Sequence, residues 1–303
     1  MLNESKLIAA AKNYRRLFYE AIEQTPMLER ALVQLLAMDV PSTGDTESYN
    51  WLGEVPGMRE WVGDRVFKDL EGYEFSIKNK KWEASISVPA ETIEDDKFAI
   101  VRPRIQGLAE SYWRKAWALT LSLITAAKTT TAYDGKYFAA SNHADGDSGT
   151  LINLTTDLLD KDAYFAARVR MQNLKDDQGN TLGIRPTHML VCAALEQTGL
   201  EIVRDRDSYG ADNVWARSVQ VVVVPGIDAG GNTADKTWAL VDLSKPIKPF
   251  INQIRRAPRF TALENPSDPF VFMRDEYAYG ADYRGNCGVA LWQLFQLSDG
   301  SGS

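Results

Sequence analysis

Between residues 5 and 38 apolar side chains recur every three to four positions. Leu7, Ile8, Ala11, Tyr14, Leu17, Phe18 and Ile22 share one face of an amphipathic helix. Pro26 opens a second, shorter helix, with Thr25 as its N-cap. Residues 40–50, VPSTGDTESYN, are polar and turn-forming and predict a loop. The period then changes. Tyr73, Phe75 and Ile77 alternate with polar residues, and beyond Asn79, Lys80 and Lys81 so do Trp82, Ala84, Ile86 and Val88. Two period-two runs around a short polar link predict a β-hairpin with one apolar face. A lone hairpin is marginal in water, so that face needs the body of its own molecule or a neighbour.

A long helix is predicted over 104–127. Ile105, Leu108, Tyr112, Ala116, Leu119 and Leu123 form its stripe, and Trp113, Trp117, Leu121 and Ile124 widen it. A helix apolar over most of its circumference is a central element covered on several sides. Residues 141–150, SNHADGDSGT, break the pattern and mark a loop and a boundary. Further on, 157–174 predicts a helix, 176–180 a turn, and 188–192 a strand running into a helix that ends by 203. SVQVVVVPGI reads as a buried strand, TWALVDL as another, and 260–297 as long antiparallel strands that include FVFMRDEYAYGADYR. The final SDGSGS reads as a flexible tail. Helices and strands segregate without a regular βαβ repeat, which defines an α+β fold.

One stretch follows no period. WLGEVPGMREWVGDR, residues 51–65, holds two tryptophans, two arginines, three glycines and a proline. Tryptophan and arginine anchor protein interfaces. The segment is therefore either a partner surface or a loop folded back on its own core.

Composition narrows the function. The chain has 303 residues, 45% of them hydrophobic and 25% charged, with a net charge of −7. An acidic chain without a basic run is poorly suited to gripping phosphate tightly. The two cysteines, Cys192 and Cys287, form no CxxC pair or Cys/His cluster and read as buried thiols. No metal site and no cofactor are expected. The N-terminus lacks the plan of a signal peptide, and the most apolar segment, around 116–127, is too short to span a bilayer, so no membrane partner is expected.

The search for catalysis is short. His143 and His188 are the only histidines, and no G-x-S-x-G elbow accompanies them. His143 reads as a loop histidine and His188 as a structural one. Asp95 and Asp96 fit an acidic turn, with Thr92 as a cap, better than paired catalytic carboxylates. The glycines at 230–231 lack nucleotide-binding spacing. Arg255, Arg256 and Arg259 are expected to form ion pairs with neighbouring carboxylates or subunits. No catalytic residue is assigned.

Three stretches carry a resemblance: YNWLGEVPGMREWVGDRVFKDLEGYEFSIKNKKWEASISVPAETIEDDKF, GIRPTHMLVCAALEQTGLEIV and YGADYRGNCGVALWQLFQLSDG. In these, and in their order, the chain resembles the major head (capsid) subunits of Mu-like bacteriophages. The resemblance implies the tailed-phage, HK-ninety-seven-like capsid fold. It would have an N-terminal arm (1–48), an extended loop with a β-hairpin (49–90) and a peripheral domain (91–156) with the 104–127 helix as its spine. An axial domain (mostly 157–255), strands returning to the peripheral domain (256–297) and the tail (298–303) would complete it. It implies a virion protein, assembled in the host bacterial cytoplasm, that builds an icosahedral shell from pentamers and hexamers of itself. The shell would enclose double-stranded DNA without sequence-specific binding. Trp51, Arg59, Trp61, Arg65, Tyr73, Phe75 and Trp82 would then be inter-subunit contacts.

The resemblance also implies further partners: a portal, a decoration protein, and a separate scaffold and protease, since Met1 begins almost at the first helix. Some capsids of this fold crosslink Lys to Asn; Lys78, Lys80, Lys81 and Asn286 are the residues to check, although lysines at a hairpin turn are ordinarily just solvated. Other readings are an encapsulin-like shell around an enzyme cargo, a hydrolase using His143 or His188, and a tail or baseplate component.

Overall fold

A computed structural model describes residues 4–49, 75–94, 98–144, 148–176, 179–204, 212–228, 236–265 and 267–302. Helix α1 spans Glu4–Gln24 and buries Tyr14, Phe18 and Ala21, as its period requires. Helix α2, Leu28–Leu36, buries Leu32, Val33 and Leu36. Its N-cap is Met27, in extended conformation and without a side-chain cap, so Thr25 does not fill that role. The chain then passes directly into strand β1, Ala37–Pro41, where helix and loop had been expected. Strand β2, Thr46–Ser48, follows a turn organised by Glu47, whose carboxylate accepts from the Gly44 N–H at 2.7 Å and the Ser42 hydroxyl at 2.9 Å.

The expected hairpin divides between two sheets. Strand β3, Ser76–Lys78, pairs antiparallel with β2, whereas β4, Lys80–Pro89, pairs antiparallel with a strand some two hundred residues on. Asn79 is the pivot between them and is 5% exposed. Its side-chain N–H groups donate to Ser42 and Gly44, and its oxygen accepts from Gln253 at 2.8 Å. The alternation along β4 is as expected; only its partner differs.

After the short helix α3, Ala90–Glu94, comes α4, Phe98–Thr125, the longest element. Its 28 residues extend about 42 Å. It begins six residues before the predicted start and carries Pro103 inside, near enough to the N-terminus that few hydrogen bonds are disturbed. Ile105, Leu108, Tyr112, Ala116, Trp113, Trp117 and Ile124 are buried. The helix packs against α1, α2 and the neighbouring sheet, as a central element should.

Strand β5, Leu154–Thr155, precedes α5, Lys161–Gln172, which is capped by the Asp160 carboxylate on the Ala163 N–H at 2.7 Å. Strand β6, His188–Val191, runs through a 3₁₀ turn into α6, Glu196–Val203. Strands β7, Gln220–Val223, and β8, Trp238–Val241, follow. Two long strands come next, β9, Phe250–Leu263, and β10, Glu276–Val289. Between them lies helix α7, Pro269–Arg274, part of a segment that had been expected to be strand. Strand β11, Phe295–Ser298, closes the chain.

These strands build two main sheets. One has the order β1-β9-β10-β4, with β1 parallel to β9 and the rest antiparallel; the other is the mixed sheet β5-β11-β8-β6-β7. β8 is wholly buried, while β7, expected to be buried, is an edge strand with half-exposed valines. The larger core runs from the C-terminal half of α4 into the five-stranded sheet through Phe138, Phe250 and Phe295. A smaller one joins α1 and the start of α4 to one face of the four-stranded sheet through Phe18, Phe260 and Tyr279. The terminal segment, expected to be a flexible tail, is tied down. Asp299 N–H donates to Thr155 O at 3.0 Å, Gly302 N–H donates to Thr156 O at 2.6 Å, and Lys128 meets the Asp299 carboxylate at 3.0 Å.

Candidate functional site

The two histidines are built into the structure. His143 is fully buried and stacked on Trp292, with ring centroids 3.8 Å apart and planes 9° from parallel. Its Nδ1 lies 2.5 Å from Asp134 Oδ2 and its Nε2 lies 3.2 Å from Asn153 Oδ1. Asn153 is a hub: its oxygen accepts from Ala140 N–H, and its amide donates to the carbonyls of Phe138, Phe295 and Trp292. His143, expected to be a loop residue, thus anchors loop to sheet. His188 Nδ1 lies 2.8 Å from the Thr187 hydroxyl, which also donates to Val241 O, and burial pushes the imidazole pKa down. A hydroxyl does stand beside His188, but Thr187 is tied to the backbone, donating to Val241 O and accepting from the Leu243 N–H at 3.0 Å, and His143 is held by Asp134, Asn153 and Trp292.

The other candidates are equally quiet. Cys192 and Cys287 are buried free thiols, and burial pushes Cys287 up to about 11, far from a reactive thiolate. Among the described residues no cluster of three or more His, Cys, Asp or Glu could hold a metal ion. Among them, too, no helix is long and apolar enough to cross a membrane. Thr92 lies inside α3 and does not cap it; Asp95 and Asp96 lie outside the described residues.

Of the expected contact residues, Trp51, Arg59, Trp61, Arg65 and Tyr73 lie outside the described residues. Phe75 and Trp82 are half-buried with seats in their own chain. The Phe75 ring sits 6.3 Å from that of Tyr49, and its carbonyl accepts from the Tyr49 N–H at 2.7 Å. Trp82 donates its indole N–H to Gly285 O at 3.1 Å and carries the Lys115 ammonium 3.7 Å above its ring. Asn286 also serves its own chain, donating to the Lys78 carbonyl at 3.0 Å.

Sequence reasoning did not find the open face of the four-stranded sheet. α1 and α4 cover the face that carries Phe260 and Tyr279. On the other face Lys81, Glu83 and Ser85 of β4 and Arg259, Thr261 and Leu263 of β9 are exposed. Four consecutive register rows, Lys80 to Glu83 against Gly285 to Asp282, bring Arg256 and Arg259 to the same place across β10. Asp282 sits between them, accepting from Arg259 Nε at 2.7 Å and pairing with Arg256. Burial raises its carboxyl pKa, but the Arg259 hydrogen bond and the charges of Arg256, Arg259 and Lys81 outweigh that and hold it below the usual carboxylate range. Arg284 pairs with Asp45, and Arg255 donates to Ser42 O. The expectation that these arginines meet neighbouring carboxylates is met by Arg256 and Arg259. A second exposed feature is apolar: Phe272 and Met273 on α7 are 84% and 82% exposed.

Among the described residues a spine-like helix lies under an open sheet, with a second, mixed sheet beside it. The fold is that of the major capsid subunits of tailed phages. The chain overlays on a subunit of the procapsid of bacteriophage JBD30 with a TM-score of 0.61, at 24% identity, over 98% of this chain and 76% of that one. The family described as Mu-like prophage major head subunit gpT matches residues 7–157, 150–227 and 228–301, nearly the whole chain. The protein therefore belongs to the Mu-like prophage major head subunit family. It is 27% identical over 259 residues to the major head subunit of the Mu-like prophage FluMu of Haemophilus influenzae, covering 86% of this chain and 63% of that protein. It is 23% identical over 299 residues to the major capsid protein of Escherichia phage Mu, covering 97% of this chain and 73% of that protein.

Proposed function

We propose that this chain is the shell-forming subunit of a Mu-like phage or prophage head, assembling through pentamers and hexamers into an icosahedral shell around double-stranded DNA. The observation that carries the reading is the family match along nearly the full chain, combined with a capsid fold. The four-stranded sheet with α4 is the peripheral domain, and the five-stranded sheet with α5 and α6 is the axial domain. The return between them falls near the start of β9. The segment after Tyr49 is the extended loop, with Trp51, Arg59, Trp61, Arg65 and Tyr73 as its contacts to a neighbouring subunit; Phe75 and Trp82 form its base. The net charge of −7 suits a container that must not grip its DNA. A portal, a scaffold with protease and a decoration protein are the further partners this role calls for. Many weak contacts suffice, because closure multiplies them.

Sedimentation velocity of the purified chain, with negative-stain electron microscopy of each boundary, tests this. Pentamers, hexamers or closed shells are expected. A homogeneous monomer that persists at high concentration and with scaffold protein added would overturn the proposal. An encapsulin-like role would give closed shells containing an enzyme cargo and no DNA.

A further inference from the structure

We propose that Arg168, on α5, is the floor of an oxyanion site between that helix and the turn at 213–218, and that it takes a carboxylate presented by a protein partner other than this chain. The site lies within one chain, so it goes beyond the shell-forming reading and does not depend on it.

The arginine stands where a charge is expensive. Arg168 is only 7% exposed, and its recorded partner is neutral: Nη1 donates to the Tyr164 hydroxyl oxygen at 3.3 Å. Tyr164 lies one turn earlier on the same face of α5 and is fully buried. Among the described residues the ion pairs are made by other cations, and no carboxylate meets this guanidinium, in a chain whose net charge is −7. Most of its five N–H donors are therefore left without an acceptor there. Burying a charge without a counter-charge costs more than one neutral hydrogen bond returns. For folding alone, an apolar side chain of similar volume would serve better.

A second donor stands beside it. The hydroxyls of Tyr164 and Ser218 are 2.7 Å apart and share one hydrogen bond, so whichever donates, one hydroxyl hydrogen is left over. Ser218 is half-buried, on a turn that Trp215 holds to the helix: its ring packs edge-on at 5.9 Å from Tyr164 and tilted at 5.3 Å from Phe165. A guanidinium and a hydroxyl with hydrogens to spare call for a group that only accepts. A carboxylate is such a group, and its planar fork matches the guanidinium. The surround indicates what carries it. Phe165 is 48% exposed and Val214 85%, with Trp215 half-buried beside them. An apolar rim around one charge suits a peptide side chain better than a sugar-phosphate backbone, which asks for a run of cations. The patch is also small. Three apolar side chains around one guanidinium fall well short of the roughly 800 Å² per partner of a standard subunit interface. They fit a few residues of a separate partner's chain.

Calorimetric titration of the full-length chain tests the inference. The probe is a blocked tripeptide with glutamate between leucine and phenylalanine; its glutamine counterpart, sodium acetate and an oligothymidylate are the comparisons. The glutamate peptide is expected to bind about tenfold more tightly than any of these. Arg168→Met is expected to cut that affinity about tenfold. It should also raise the melting temperature of the unliganded chain by about 3 °C, because it removes a charge the free chain does not balance. An Arg168→Met chain that melts below the wild type would make the arginine part of the chain's own packing and overturn the inference. Should that variant not fold, Arg168→Lys decides: it keeps the charge, loses the fork and is expected to bind about threefold more weakly, and unchanged binding would overturn the inference. Equal binding of the glutamate and glutamine peptides would do the same, as would a response to acetate alone, which would mean an adventitious ion only. Oligothymidylate binding that depends on Arg168 would assign the site to nucleic acid instead. Peptide binding that vanishes when the chain assembles would give the site to a second copy and overturn the assignment to a separate partner.

Discussion

The two sheets of this molecule are finished differently. Around the five-stranded sheet, β8 is buried along its whole length, and the hydrogen-bond hub at Asn153 ties loops to the strand ends. The four-stranded sheet buries one face under α1 and α4 and leaves the other open, with arginines on it and an exposed Phe272–Met273 pair near its far end. A protein selected only for its own stability has little reason to leave one broad sheet face uncovered beside one that is sealed. The difference separates residues that make the subunit from residues that join it to others.

That separation can be broken first at the hub. Asn153→Ala would leave the carbonyls of Phe138 and Phe295 and the N–H of Ala140 without their partner in a buried site. A loss of about 3 kcal/mol in urea denaturation is expected. A loss under about 1 kcal/mol would mean that the hub does not hold the sealed sheet together. Gly285→Ala comes next. A methyl there would collide with the Gln253 carbonyl oxygen beside the irregularity in β10, and backbone cannot swing aside as a side-chain end can. A destabilisation of about 1–3 kcal/mol is expected, read as a lower denaturation midpoint.

Glu264→Gln sharpens the comparison with the opposite sign. Burial raises the Glu264 carboxyl pKa, and the neighbouring Tyr279 hydroxyl and the Arg15 charge only partly offset it. A carboxyl raised in the folded state opposes folding when ionised. That cost is absent below the ordinary carboxylate range and grows as pH rises through it. The variant should melt above the wild type at neutral pH, with the gain vanishing near about pH 4. A gain that persisted in acid would point to packing instead. The smallest expected effect is Arg259→Gln on the isolated subunit: within about 0.5 kcal/mol of wild type, since its side chain is 57% exposed. A larger loss would make the open face part of the subunit's own stability and erase the contrast.

Local pattern made some of this legible. The stripe of α4 was readable because a helix covered on several sides leaves its signature in consecutive turns. The alternation of β4 was equally plain, but its partner was not: Lys80–Pro89 pairs with Glu276–Val289, and nothing in the local period says which strand lies beside it. β1 was hidden for the same reason, since its partner is the distant β9. α7 was lost because PFVFM is a short unbroken apolar run that reads as strand as readily as helix, with Asp268 and Pro269 as its helix-start signals. The open face was invisible because it exists only when β4 comes from far away in sequence to join β9 and β10 and bring Glu83, Asp282 and Arg259 into one row. The family resemblance, by contrast, rested on long stretches of unusual composition and needed no register.

The most direct test of the account is a cryo-electron microscopy reconstruction of the assembled wild-type particle. A closed shell is expected, with the open face of the four-stranded sheet of each subunit covered by an adjacent copy. A particle without closure, or a shell whose four-stranded sheets stand bare, would contradict it.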